Sequence, residues 1–234
     1  MDTIGPSFAT ALGLVGAGDE KLLAIVLLSL RVSMTATLCA ALLGMPIGAA
    51  MAVGRFPGRK VLTVVLNAFM GLPPVVVGLL VYLLLSRAGP LGQFGLLFTP
   101  AAMIVAQTVL ITPIIAALTR QIIEDAWREY EEQLRSLGAG TGRAALTLLW
   151  DTRFSLFTAL LAGFGRAAAE VGAVMIVGGN IDGVTRVMTT TIALETSKGD
   201  LPLALALGLI LITLVLMINA AAYLTREWAS RQYG

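Results

Sequence analysis

Along the chain, long apolar runs alternate with short polar links, and the one extended polar stretch lies near the middle. Crossing a bilayer takes about 20 mostly apolar residues, each rising about 1.5 Å. Five runs reach that length, near 22–54, 61–86, 98–119, 153–178 and 201–225. The second, third and fifth carry no charged residue, and the first carries none from Val32 to Gly54. The fourth is interrupted only by Arg166 and Glu170. The first is longer than a span requires, so its early part, LLAIVLLSLR, is expected to lie obliquely or at the outer interface. Between the third and fourth runs, across 120–152, the pattern changes. Ala126, Tyr130, Leu134 and Leu137 recur at helical spacing, with Arg128, Glu129, Glu131, Glu132 and Arg135 between them. This predicts a short amphipathic helix outside the membrane. Gly138, Gly140 and Gly142 follow, and glycine suits a helix end because it enters left-handed backbone without steric cost.

Composition turns these runs into a class. The chain is 57% hydrophobic and 13% charged, with a mean hydropathy of +0.88, whereas soluble domains carry about 25% charged residues. The expectation is an all-α integral membrane protein, residues 1–234 forming one transmembrane domain of about five helices. The opening MDTIGPSFATALGLVGAGDE lacks the basic n-region of a secretory signal and reads as a brief leading segment.

Lys and Arg collect on cytoplasmic loops. If the link 55–60 is inside, that side holds Arg55, Arg59, Lys60, Arg120, Arg128, Arg135, Arg143, Arg153, Arg226 and Arg231. The other side holds Lys21, Arg87, Arg186 and Lys198. Ten against four predicts the N-terminus outside, the C-terminus inside and an outer loop at 179–200. In that loop Thr185 to Thr196 could form a short interfacial helix, after Gly178 and Gly179 end the fourth run. No basic face interleaved with aromatics points to nucleic acid.

Several chemistries are excluded. The chain has no histidine, which removes Ser-His and Cys-His catalysis, imidazole metal ligation and a histidine switch. Its single cysteine, Cys39, lies in an apolar run and can form no internal disulfide. No Walker sequence is present: GRFPGRK (54–60) has the wrong spacing and GAGTGR (138–143) lacks the lysine. No cofactor or metal site is expected, and the chain does not hydrolyse ATP by itself.

Arg166 and Glu170 stand four apart, hence on one face if the helix is continuous. Arg166 lies about 20 Å along it from Thr152, near mid-membrane, where a charge costs about 2.5–3.5 kcal/mol and faces the bundle interior. Two readings follow: Arg166 offers positive potential or a gate to a divalent oxyanion, or the two residues neutralise each other and pin the helix. Arg31 can snorkel to the headgroups. Gly44 and Gly48 form a small-xxx-small pair for close helix approach. Pro46, Pro73, Pro74 and Pro113 interrupt spans, and Gly71-Leu72-Pro73-Pro74 is either pathway-lining backbone or a packing kink.

The central stretch EYEEQLRSLGAGTGRAALTLLW (129–150) resembles the cytoplasmic loop of ABC importer permeases. The signature of that loop is Glu-Ala-Ala, three residues, Gly, nine residues, then Ile-x-Leu-Pro. Here Glu132-Gln133-Leu134 stands at the first element, Gly138 at the glycine and Leu148 at the isoleucine. The departures are both alanines, Trp150 for leucine and Asp151 for proline. Segments 67–92 and 165–200 are similar to the molybdate/tungstate branch, most closely the tungstate type, and the similarity covers nearly all the chain after about residue 20.

The resemblance implies a type I importer permease bundle with a cytoplasmic coupling helix. Its partners would be two copies of an ABC ATPase, an extracytoplasmic oxyanion-binding protein and a second copy of this chain in the plasma or inner membrane. The coupling element would run from about Ile123 to Gly142, with Tyr130, Glu132, Leu134 and Gly138 as contact candidates. Arg166, Glu170, Pro73 and Pro74 are the pathway candidates. Molybdate or sulfate in place of tungstate, and a secondary transporter or channel without an ATPase, stand as alternatives. A membrane-embedded enzyme lacks a nucleophile and base pair.

Overall fold

A computed structural model describes residues 20–233, and before them only Ala9, Gly13 and Gly16; the rest of the leading segment lies outside the described residues. Among the described residues nine α-helices follow one another: α1 (Glu20–Val53), α2 (Arg59–Phe69), α3 (Pro74–Leu85), α4 (Pro100–Ser136), α5 (Thr141–Asp151), α6 (Arg153–Ala168), α7 (Gly172–Gly178), α8 (Met188–Lys198) and α9 (Leu201–Tyr233). A 3-10 turn, Gly92–Phe94, links α3 to α4.

The first, third and fifth apolar runs correspond to α1, α4 and α9, each long and apolar enough to cross a membrane by itself. The total reaches five when α2 with α3 and α5 with α6 are each counted as one bent span. The second run is therefore not one helix. Pro73 disfavours helical backbone at Leu72, and Pro74 opens α3 at the first helical position, where its missing N–H is not needed. The fourth run is not continuous either, because α6 ends at Ala168 and α7 starts at Gly172. Pro46 and Pro113, by contrast, do not interrupt their helices, which run on through both. Irregularities of this kind are tolerated in spans because neighbouring groups re-satisfy the freed backbone.

The predicted amphipathic helix is not separate. No breaker separates Thr119 from Asp125, and α4 carries straight on to Ser136, a length of about 55 Å.

The chain divides into two compact units. The first comprises residues 20–34, 74–106 and 168–233 of the described chain. In it α3 packs closely on α7: a Cβ at Gly78 would stand 2.8 Å from the Ala173 Cα, so only glycine fits. Leu22, Val26, Met188 and Leu207 form a buried cluster, and the Ser29 hydroxyl accepts the Met188 N–H at 2.7 Å. The outer-loop helix is α8, a few residues later than its polar pattern suggested. Thr185 is used before it, donating to the Gly178 carbonyl at 2.6 Å and accepting the Ile181 N–H at 2.9 Å. Gly179, with φ 70°, ends α7.

The second unit comprises residues 35–73 and 107–167. Its α1 portion lies directly on α4 through the small-residue pair: a Cβ at Gly44 would approach the Thr112 carbonyl oxygen to 3.0 Å, and one at Gly48 would collide with Ala116 and Thr119. Beyond that crossing, Ala49, Ala52, Val53, Ile123, Trp127, Ala144 and Leu148 form a buried cluster. It joins the end of α1 to the far halves of α4 and α5.

Candidate functional site

The polar block of the middle of the chain becomes a pair of helices joined at Gly138. Gly138 has φ 73°, and its N–H donates to the Arg135 carbonyl while the Ala139 N–H reaches back to Leu134, both at 3.0 Å. This pairing is a Schellman end, which a left-handed glycine makes without Cβ strain. Gly140 then provides extended backbone before α5. After Asp151 the chain bends by 77° into α6.

Packing assigns the faces. Tyr130 and Leu134 are partly buried against the cluster around Trp127 and Leu148, so the apolar stripe of the α4 end faces its own chain and not outward. Glu132 and Gly138 are exposed. Helix α5 buries Ala144 and Leu148 on one side and presents Leu146, 69% exposed, and Trp150, 73% exposed, on the other. Leu137, just before the glycine, is 76% exposed. Sequence reasoning passed over this outward ridge. The signal was present: two apolar pairs at i, i+4 on one 11-residue helix, Ala144 with Leu148 and Leu146 with Trp150, exceed what one buried face can absorb.

Charges brace the same region. Glu131 accepts Arg55 at 2.8 Å and Arg135 at 2.6 Å, tying the 55–60 link to the end of α4. Arg59 donates to the Met51 and Ala52 carbonyls at 2.7 and 3.0 Å and approaches Glu124 at 3.4 Å. It thereby satisfies carbonyls that the end of α1 leaves unpaired. Glu129, beside Tyr130, and some burial of the ring push the phenol above its ordinary range, so Tyr130 remains neutral at physiological pH.

The membrane-depth candidates are arranged differently from the continuous helix that placed them on one face. Arg166 is in the last turn of α6, whereas Glu170 lies past its end, in the break before α7. Glu170 is 2% exposed. Its carboxylate accepts the Ala173 N–H at 3.0 Å, and its carbonyl accepts the Thr189 hydroxyl at 2.7 Å. A side chain that offers a backbone N–H an alternative acceptor competes with helix continuation, which accounts for an interruption in AAAEVG without proline. Gln107, a residue the sequence did not single out, donates through Nε2 to the Ala167 carbonyl at 3.0 Å near the end of α6. Its one sequence signal is that it is the sole amide side chain in the run 98–119. Pro73 and Pro74 lie at the break between α2 and α3. Among the described residues no three His, Cys, Asp or Glu side chains gather as a metal site.

The family of binding-protein-dependent transport system inner membrane components matches residues 44–231. The tungstate uptake system permease protein TupB of Peptoclostridium acidaminophilum is 41% identical over 227 residues, 97% of this chain and 100% of that one. A probable anion ABC transporter permease protein of Haloferax volcanii is 43% identical over 204 residues, 85% of this chain and 88% of its own. The molybdenum transport system permease protein ModB of Escherichia coli is 30% identical over 220 residues, 88% of this chain and 96% of its own. With four-fifths of its length matched and relatives covered almost end to end, the chain belongs to the family of binding-protein-dependent transport system inner membrane components.

Proposed function

We propose that the chain is the permease of a tungstate ABC importer, working as a single permease domain. Two copies form the pathway, an extracytoplasmic binding protein delivers the oxyanion, and two separate ATPase subunits drive transport. Tungstate is favoured over molybdate by relatedness, 41% identity to a tungstate permease against 30% to a molybdenum permease. The ten-to-four distribution of Lys and Arg supports the N-terminus outside, the C-terminus and 120–152 inside, and 179–200 outside.

The observation that carries the reading is the helix pair at Gly138. It stands beyond the apolar length of α4, is braced by ion pairs, and presents an apolar ridge that its own chain leaves uncovered. Glu132 and Gly138 take part in the ATPase contact. Leu137, Leu146 and Trp150 supply its apolar anchor, while Tyr130 and Leu134 hold the helix in place from behind. A load on that ridge passes through the packing of Ala144 and Leu148 on Ile123 and Trp127 to the end of α4, which continues unbroken into its apolar length.

Arg166 supplies positive potential to the pathway. Glu170, with its carboxylate on Ala173 N–H, shapes the break at 169–171. That break and the one before Pro73-Pro74 provide pathway backbone, since irregular backbone at membrane depth persists where it lines a cavity or is buried in protein.

The test is co-purification with the cognate ATPase and cellular tungstate uptake, with molybdate and sulfate as competitors. Leu146→Asp and Trp150→Asp are expected to abolish association and uptake while the permease remains in the membrane. Undiminished association in both variants would sink the docking surface, and uptake without any ATPase would sink the importer reading.

A further inference from the structure

The second unit contains a groove of about 620 Å³ that the transport reading does not use. Its walls include Leu38, Leu42 and Met45 of α1 and Phe157 and Leu160 of α6, and Arg153 lines it at the start of α6, beside Leu149 of α5. We propose that this groove holds an acyl chain of an anionic phospholipid, with the lipid phosphate on Arg153.

The groove follows α6 from Arg153 to Leu160, about 10 Å, and Arg153 is the only charged residue among those lining it. The lining is thus cationic at Arg153 and aliphatic or aromatic elsewhere, the polarity of a phospholipid and not of a free anion. Arg153 is held for this role. One guanidinium nitrogen, Nη1, donates to the Trp150 carbonyl at 2.9 Å, and the cation lies 5.0 Å from the Trp150 ring centre and 4.6 Å from that of Phe154. No carboxylate lies within ion-pair distance of it among the described residues. Most of its five N–H donors therefore remain for an oxyanion, and the planar fork suits phosphate.

Position agrees with chemistry. Arg153 opens α6 immediately after the coupling helices, so on the proposed topology it faces the cytoplasmic leaflet. Anionic lipids enrich that leaflet, and basic pockets between helices there bind acidic headgroups. A second copy of the chain is the poorer occupant. A two-fold contact sets a patch against itself, and this patch offers no acid to the arginine of either copy.

Native mass spectrometry of the full-length permease, titrated with phosphatidylglycerol or phosphatidylcholine, tests the proposal. Wild type is expected to retain phosphatidylglycerol at concentrations lower by about 5-fold, the effect of roughly one basic residue at an anionic surface. Arg153→Gln should bring that ratio close to one, and Ala41→Phe, which fills the groove wall, should reduce retention of both lipids. Equal retention by wild type, or a preference that survives Arg153→Gln, overturns the proposal. So does efficient disulfide cross-linking between two copies of a Cys39→Ala, Leu42→Cys variant, because the groove would then be covered by protein. None of these readouts depends on tungstate or the ATPase, so failure here leaves the importer reading intact.

Discussion

The two helical segments that meet at Gly138 pack on the same cluster but differ in charge, six charged residues in 125–136 against two in Thr141–Asp151, and in what they leave uncovered. The end of α4 turns its apolar side chains, Trp127, Tyr130 and Leu134, onto the cluster beneath and leaves charges outside. Helix α5 contributes Ala144 and Leu148 to the same cluster but leaves Leu146 and Trp150 uncovered. An amphipathic stripe therefore identifies a buried face, while a second stripe on the same short helix identifies a partner. The stripe of Tyr130 and Leu134, which the loop resemblance offered as contact candidates, packs on the cluster, and the one that includes the Trp150 departure from the loop signature faces out.

The contrast can be broken most severely from the buried side. Leu148→Ala removes a fully buried side chain from the cluster and is expected to cost about 2–5 kcal/mol, measurable as a lowered unfolding midpoint of the purified permease. Leu146→Ala, two residues away, should leave that midpoint unchanged. Equal losses would mean that the two faces are not distinct.

Next comes the joint. Gly138→Ala places a Cβ in left-handed backbone at φ 73°, a strain of about 1–2 kcal/mol. No atom lies near enough to that Cβ to clash, so the loss should come from conformation alone. Gly140→Ala, in extended backbone, is the control, and ATPase association of the two variants should separate them.

The smallest effect is expected at the brace. Arg55 is largely exposed where it meets Glu131, so Arg55→Gln should cost about 0.2–1 kcal/mol and less at high salt. A loss above that range, unaffected by salt, would show that the link and α4 are held by more than a surface ion pair.

Much of this was legible beforehand, for reasons particular to each element. The three uninterrupted spans are legible because a charge-free run of sufficient length has one low-energy arrangement in lipid. Pro73-Pro74 is legible because two successive prolines remove two backbone N–H groups and disfavour helix at Leu72, whereas the single Pro46 and Pro113 stay within their helices; Gly138 is legible because a left-handed helix end depends on the missing Cβ. The break at 169–171 was not legible. Nothing in AAAEVG forbids a helix, and the interruption arises because Glu170 finds the Ala173 N–H and Thr189 finds the Glu170 carbonyl.

The residue order alone therefore established that this is a multi-span helical membrane protein, with a polar excursion ended by glycine at 138. Those properties follow from transfer energies and local backbone sterics, which need no neighbour. The continuity of α4, the inward turn of Tyr130 and Leu134, the outward ridge of Leu146 and Trp150, and the groove lined by Arg153 came from packing. Each depends on which surface another helix happens to cover, and that is settled by contacts between segments distant in the chain.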